Sequence, residues 1–336
     1  MQFGFKKRIG CNHALFVVKS VVEYFTAGGS VINLCALDMS KAFDKVNHYG
    51  LFIKLMSRCV PFAFINVLIH WYSLGVAVVR WNNFFSNEFY LQCGVRQGGV
   101  LSPVLFAVYV NSIIEELSKS GYGCHMGNVF IGCVMYADDL LLISASLYDL
   151  QRMIDLCAIE ACRLDMKFNA NKSQIIRIGQ MRRTHTCYIS IGGSSVQFVH
   201  ELKYLGWYIV SATRFKISIH RMRVRFFQCF NSLYSNCHNF SEPVLQYMVN
   251  TKCKPYLLYG SEVIEWNNSE LSSLSYAFNC AMCRVYKIDF HSLSTVYYYT
   301  GQSEIVDDVC NSHKIFLRRC LLVSNSIVKL LADRRL

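Results

Sequence analysis

Apolar residues recur at helical spacing over residues 14–25, and Gly28-Gly29-Ser30 interrupts them. Residues 31–37 form a short apolar run with few polar gaps, which predicts a buried strand. From Ser40 the spacing is again helical, through Phe43, Val46 and Leu51. Ser102-Pro103 predicts a helix start, with the serine as N-cap and the proline in the first turn, where its missing N–H costs nothing. That helix runs to about Ser120 and stops at Gly121, with Glu115 and Lys119 paired one turn apart on its outer face. Residues 130–134 and 140–143 read as strands around a tight polar turn, and residues 148–164 as an amphipathic helix. Residues 175–178, 187–191 and 204–209 are further strand candidates. Helical patterns dominate from Arg214 to the end. The pattern is therefore α+β followed by a mainly helical last third, with a boundary near residues 210–215.

Composition narrows this picture. Hydrophobic residues make up 53% of the 336, which excludes intrinsic disorder and supplies a large core. No window of 18 consecutive apolar residues is free of polar interruption, so a membrane span is not expected. The first eight residues carry Lys6, Lys7 and Arg8 but no apolar leader core, which argues against secretion. The 16 cysteines are scattered singly, and many, such as Cys35, Cys133 and Cys157, lie inside apolar runs. They read as reduced core thiols of an intracellular protein, with nucleus and cytoplasm both open. Cys280 and Cys283 followed by His291 have zinc-ligand spacing, but a fourth ligand is missing and the pair lies in an amphipathic run, which favours core thiols. The net charge of +12 fits a polyanionic partner such as nucleic acid, or simply a basic surface.

The chemistry concentrates at Tyr136-Ala137-Asp138-Asp139, between two apolar strands. Neighbouring side chains in a strand point to opposite faces, so two adjacent carboxylates converge only at a turn. Two carboxylates at the tip of a buried hairpin need a cation to neutralise them, and Mg²⁺ takes such oxygen ligands together with substrate phosphates. Taken alone, Asp-Asp is also an ordinary turn sequence. Asp38, at the end of the strand at 31–37, is a third candidate, and three converging carboxylates can hold two metal ions about 4 Å apart. Asp44 is a rival third ligand, read here as a structural or capping group within the following helix.

These residues resemble a known family, the reverse transcriptases of non-LTR (LINE-type) retrotransposons. Residues 37–48, Leu-Asp-Met-Ser-Lys-Ala-Phe-Asp-Lys-Val-Asn-His, resemble the family's first catalytic motif. Residues 94–103, Gly-Val-Arg-Gln-Gly-Gly-Val-Leu-Ser-Pro, resemble its nucleotide-positioning motif, and Tyr136-Ala137-Asp138-Asp139 its aspartate pair. Asn169-Ala170-Asn171-Lys172-Ser173 resembles the next block, Lys203-Tyr204-Leu205-Gly206-Trp207 the primer grip, and Gln2-Phe3-Gly4-Phe5 a segment of the fingers. The blocks keep the family's order over residues 2–210.

The resemblance implies a right-hand polymerase: partial fingers at 1–30, an antiparallel-sheet palm with a fingers insertion at 31–211, and a helical thumb at 212–336. It implies RNA-directed DNA synthesis with an RNA template, a DNA primer, dNTP and two Mg²⁺ ions, Mn²⁺ being a substitute. Asp38, Asp138, Asp139 and the backbone carbonyl of Met39 would bind metal, and Lys172 would protonate the departing pyrophosphate. Phe43 would exclude a ribose 2′-hydroxyl, while Arg96, Gln97 and Gly98 would face the incoming nucleotide. Tyr204, Leu205 and Gly206 would steady the primer end. Arg214, Arg221 and Arg225, at spacings that share one helical stripe, would contact phosphates, or form a solvated helix face. The family's upstream fingers segments and an endonuclease block are not visible, which suggests an N-terminally truncated chain. A catalytically inactive relic or binding module that keeps the fold is the alternative. An RNA-dependent RNA polymerase is disfavoured by Phe43, because ribonucleotides need room there.

Overall fold

In the computed structural model, which describes residues 2–180, 188–323 and 325–333, the apolar run at 31–37 becomes β1 (Ile32–Leu37), the middle strand of a five-stranded sheet. The other strands are β2 (Cys133–Tyr136), β3 (Asp139–Ser144), β4 (Gln174–Ile178) and β5 (Gln197–Phe198), in the order β5-β4-β1-β3-β2. β1 runs antiparallel to β4, with Ile32 opposite Ile178, and antiparallel to β3, with Leu37 opposite Leu140. β2 and β3 form a hairpin, and β5 lies parallel to β4. Leu140, Leu141, Leu142 and Ile143 are all fully buried, as are Ile32, Leu34 and Cys35, so both faces of the centre are covered. That is why the strands read as continuous apolar runs rather than alternating ones.

The chain divides into two units, the first comprising Met1–Ala14, Val21–Leu205 and Ser211–Phe215. Its helices are α1 (Cys11–Ala27, whose residues 15–20 group with the second unit), α2 (His48–Ser57), α3 (Phe62–Ser73), α4 (Ser102–Lys119) and α5 (Leu147–Arg163). α5 packs on β1, β3 and α4, and α2 packs on α3 and α4. One core joins Cys35, Leu37, Leu142 and Ile175 of the sheet to Leu51, Phe106, Ile113 and Ile154 of the helices. Ser146 caps α5 by accepting from the Asp149 N–H at 3.3 Å.

Several expectations about elements change. The helical spacing from Ser40 is not one helix: a single 3₁₀ turn, Phe43–Lys45, is followed by extended Val46, and α2 begins afresh. Asn47 supplies the restart, its side chain accepting from the Gly50 N–H at 3.1 Å. Asp44 therefore sits in a short turn rather than inside a helix. Ser102 is the first residue of α4 rather than its cap, because Leu101 already takes helical angles (φ −84, ψ −26). Lys119 pairs with Glu116, while Glu115 pairs with Arg58 at 3.6 Å. The strand expected at 204–209 is broken by a turn at Leu205 (φ 43) and Gly206 (φ 85), leaving strands Glu201–Tyr204 and Trp207–Val210. The strand at 187–191 shortens to Ser190–Ile191, and Cys187 lies outside the described residues.

The second unit comprises Leu15–Ser20, Gly206–Val210 and Lys216–Leu336. Its helices are α6 (Ile219–Cys237), α7 (Glu242–Met248), α8 (Lys254–Leu258), α9 (Asn268–Tyr286), α10 (Leu293–Thr300), α11 (Ile305–Leu322) and α12 (Ser326–Asp333). Phe226, Phe230 and Phe278 anchor its core. Asn267 and Glu270 close a capping box on α9. The buried Lys254 is neutralised by Asp308, donates to Ser303 Oγ at 3.2 Å and lies 4.9 Å from the Phe278 ring centre. Helical structure starts at Ile219 rather than Arg214. Among the described residues no helix is long and apolar enough to cross a membrane.

Leu142 stands between Cys35 and Cys133 in the middle of the sheet and is fully buried. Leu142→Ala should destabilise the protein by about 2–5 kcal/mol, read as a lower urea midpoint at unchanged slope. A midpoint within error of the parent would remove β3 from the core.

Candidate active site

β1 ends at Leu37, opposite Leu140, and Asp38 is the next residue. β2 and β3 are joined by the two-residue turn Ala137-Asp138, closed by the pairing of Tyr136 with Asp139. One further step of the β1–β3 register sets Asp38 across from Asp139. Three carboxylates thus gather at one end of adjacent central strands. Asp139 still reaches solvent, yet its carboxyl is pushed above the ordinary carboxylate range. Desolvation at the strand end is the main cause, followed by the charges of Asp138 and Asp38, with Lys203 opposing.

The turn is held from several directions. Ala137 takes a left-handed conformation (φ 56), uncommon for a residue with a side chain. The Gln2 side chain accepts from the Ala137 N–H at 3.1 Å, and the Phe3 N–H donates to the Met135 carbonyl at 2.7 Å. Tyr204, buried in the first unit, donates its hydroxyl to the Val134 carbonyl at 3.2 Å. Burial pushes that hydroxyl well above its ordinary range, so it remains a donor.

Asp38 is fixed through its backbone. Its N–H donates to Ser173 Oγ at 3.2 Å, and its carbonyl accepts from the Asn169 N–H at 2.9 Å. Ser173 Oγ donates in turn to the Asn169 carbonyl at 2.8 Å. Met39 forms a bridge to Phe168, and the Ser40 N–H donates to the Lys167 carbonyl at 3.0 Å. The Asn169–Ser173 loop is thereby tied to the end of β1, with Lys172 exposed on it.

A second lacing joins residues 43–48 to residues 93–96. The Gly94 N–H donates to the Val46 carbonyl and the Val95 N–H to the Phe43 carbonyl, both at 2.8 Å. Gly94 has φ 92, and a Cβ there would stand 3.0 Å from the Asp44 carbonyl oxygen, so this close crossing needs glycine. The His48 imidazole lies 2.8 Å from the Gly94 carbonyl. Phe43 is stacked on Phe106, ring centres 4.3 Å apart. Arg96 lies over the Trp71 ring at 5.7 Å, and Gln97 and Gly98 are exposed on the loop beyond.

The family model for reverse transcriptase (RNA-dependent DNA polymerase) matches residues 1–209, well over half of the chain. The chain belongs to the reverse transcriptase family. Its relatives are polymerases of non-LTR retrotransposons. It is 29% identical over 213 residues to the Pol polyprotein of the Drosophila melanogaster R2 element, covering 61% of this chain and 20% of that protein. It is 28% identical over 211 residues to the RNA-directed DNA polymerase of the Drosophila funebris mobile element jockey, covering 61% of this chain and 22% of that protein. It is 25% identical over 207 residues to a 149 kDa protein of the Xenopus laevis transposon TX1, covering 61% of this chain and 16% of that protein. The chain thus spans about a fifth of the length of these curated relatives. Among solved structures, apo telomerase from Candida tropicalis matches 99% of this chain and 52% of that chain, at 12% identity and a TM-score of 0.48.

Within this reverse transcriptase family member, the expected site residues fall into two groups. Asp38, Met39, Phe43, Arg96, Gln97, Gly98, Asp138, Asp139, Lys172, Tyr204 and Leu205 all lie in the first unit, and Arg214 lies there too. Gly206, Arg221 and Arg225 lie in the second. The expected stripe of Arg214, Arg221 and Arg225 on one helix is not formed, because Arg214 precedes α6 by five residues. Arg221 and Arg225 do share a face of α6, where both guanidiniums sit over the Tyr208 ring, at 5.2 and 5.0 Å. Arg225 also donates to the Tyr208 hydroxyl at 3.0 Å. They line a cavity of about 310 Å³ with Trp207, Met222, Tyr256 and Tyr259. Sequence reasoning gave no role to Gln2, Ser173 or Tyr208. The first two stand in quoted motifs, but only the fold shows that their side chains bind strand-end backbone.

The carboxylate set fits a hard divalent cation in donor chemistry and in adjacency, and such a cation would offset both the desolvation and the neighbouring charges that raise the Asp139 carboxyl. As placed, no three His, Cys, Asp or Glu side chains among the described residues close into a metal-binding cluster. Because the Asp139 carboxyl is raised in the fold, its ionised form opposes folding above that raised value, and the cost fades as pH falls through it. In metal-free buffer Asp139→Asn should raise the melting temperature at about pH 7, and the gain should shrink as pH approaches about 4. Melts showing no gain at neutral pH would contradict the raised Asp139 carboxyl.

Proposed function

We propose that this chain carries the polymerase core of a retrotransposon reverse transcriptase, adding deoxynucleotides to a primer 3′-end along an RNA template. The observation that carries the reading is the β1–β3 register, which brings Asp38 across from Asp139 beside the turn bearing Asp138. The family match over residues 1–209 and the net charge of +12 support a nucleic-acid substrate. On this reading the five-stranded sheet is the palm, residues preceding β1 contribute to the fingers, and the helical second unit supplies the thumb.

Asp38, Asp138, Asp139 and the Met39 carbonyl would hold two Mg²⁺ ions. When bound, the ions supply charge neutralisation at the primer hydroxyl and the leaving pyrophosphate. The chain's own residues do the rest. The Asn169–Ser173 loop holds the Asp38 backbone, so the carboxylate stays at the strand end. Lys172, exposed on that loop, supplies a proton for the departing pyrophosphate. The exposed loop of Arg96, Gln97 and Gly98 offers donors to the triphosphate and base, and glycine at 98 permits close approach. Phe43 cannot swing freely, because Phe106 stacks on it and its carbonyl is bonded by Val95. A fixed aromatic there selects against a 2′-hydroxyl. Tyr204, Leu205 and Gly206 support the primer end, and Arg214, Arg221 and Arg225 contact backbone phosphates in a salt-sensitive, sequence-independent way.

Two outcomes test the reading. Asp138→Ala should abolish extension of oligo(dT) on poly(rA) without changing the circular dichroism spectrum, and full extension by that variant would sink the site. Phe43→Val should raise ribonucleotide incorporation relative to deoxynucleotide by about tenfold or more, as removal of a steric block does. An unchanged ratio would remove Phe43 from sugar selection.

A further inference from the structure

We propose that Gln2 is a positioning residue for the candidate metal site, its side-chain amide holding the Ala137-Asp138 turn in the conformation that presents the aspartate pair. The inference rests on the polymerase reading only for what the turn does, not for how it is held.

The argument begins with the turn's own chemistry. A two-residue hairpin turn favours residues that tolerate positive φ, such as asparagine, aspartate and glycine. Here the first position is Ala137, at φ 56, and it is buried. Alanine has no side-chain group with which to stabilise a left-handed backbone, so the surroundings must impose it. A buried N–H also needs an acceptor. Gln2 meets both needs. It is 5% exposed, its Oε1 accepts from the Ala137 N–H at 3.1 Å and from the Gly4 N–H at 2.9 Å, and its Nε2 donates to the Ala137 carbonyl at 3.4 Å. One amide thus engages both polar groups of the peptide unit's strained residue.

The segment bearing Gln2 is itself anchored. Gln2 forms a parallel bridge with Met135, and the Phe3 N–H donates to the Met135 carbonyl at 2.7 Å. Gly4 completes the fit, since a Cβ there would stand 2.6 Å from the Ala137 nitrogen. Residues 2–4 therefore form a strand-like clamp on the outer edge of β2, shaped to the backbone of the turn. Chemistry explains the residue type. Glutamate would match the acceptor but add a fourth negative charge beside three carboxylates, methionine would match the length but accept nothing, and asparagine would fall one methylene short.

The experiment compares wild type, Gln2→Met, Gln2→Glu and Gly4→Ala in the purified full chain by amide hydrogen exchange and by single-nucleotide primer extension. Gln2→Met should speed exchange of the Ala137 amide about tenfold or more, while amides of Leu141 and Ala36 keep their protection. Gln2→Glu, which keeps the acceptor, should preserve Ala137 protection. Gly4→Ala, which leaves Gln2 in place but crowds the clamp, should lose it, and serves if Gln2→Met unfolds. In extension assays Gln2→Met should lower kcat about tenfold with the dNTP KM within about twofold, the split expected when the reacting groups are misplaced but nucleotide binding is kept. Wild-type protection at Ala137 in both Gln2→Met and Gly4→Ala would overturn the clamp. Absence of extension by wild type would instead overturn the polymerase reading, and the exchange comparison would still decide the role of Gln2.

Discussion

The structure depends on gathering like charges at the end of an apolar sheet. Asp38 follows the buried Leu37 and Asp139 precedes the buried Leu140, with Asp138 on the turn between β2 and β3, and desolvation followed by the charges of Asp138 and Asp38 raises the Asp139 carboxyl. An ionised Asp139 works against folding, so the arrangement persists only if backbone pairing holds the strand ends together more strongly than that cost. The ladder from Asn33–Ser144 to Leu37–Leu140 supplies that pairing. A slip of one residue would exchange the side chains packed on the two buried faces, so close packing on both faces holds the register that brings the carboxylates together.

Segments far apart in sequence converge on this strand end, and most do so through backbone rather than side-chain recognition. The Asn169–Ser173 loop bonds the Asp38 backbone, Tyr204 reaches the Val134 carbonyl, and Gly94 and Val95 bond the carbonyls of Val46 and Phe43. Side chains enter where a backbone group would otherwise lack a partner. Gln2 serves Ala137, Ser173 serves Asp38, and Asn47 serves Gly50. Residues 2–4, Asn169–Ser173 and Tyr204 thus hold the neighbouring ends of β1 and β2.

Much of this was legible in the residues. The runs at 31–37, 140–143 and 175–178 became strands because burial on both faces leaves a continuous apolar signal. The helix at 148–164 was legible because one face meets solvent, whereas the helix at 14–25, buried throughout residues 13–22, was legible as a longer apolar run ended by Gly28-Gly29. What failed were boundaries set by a single backbone angle. Extended Val46 splits the spacing that began at Ser40, helical Leu101 shifts a cap by one residue, and positive φ at Leu205 and Gly206 breaks one strand into two. Apolar spacing carries no information about such angles, and Leu205 gives no turn signal of its own. The function of Gln2 was illegible for a different reason: its partner, Ala137, lies 135 residues away.

Turn chemistry rather than distance along the chain explains why the aspartate pair was more legible than the setting of the arginines, since Tyr208 lies only 17 residues from Arg225. An aspartate pair at a hairpin tip needs only two strands and a turn to be placed, and those are local. Arg221 and Arg225 share a helix face, but their setting is fixed by Tyr208, which arrives from another strand and offers both a ring and a hydroxyl. A guanidinium stacked on an aromatic keeps donors at its edge, so stacking on Tyr208 orients these arginines without consuming all five N–H groups. A basic stripe read from spacing alone is therefore a count of charges. Only the partner ring turns it into an ordered surface, and for α6 that ring belongs to Tyr208, immediately after Trp207.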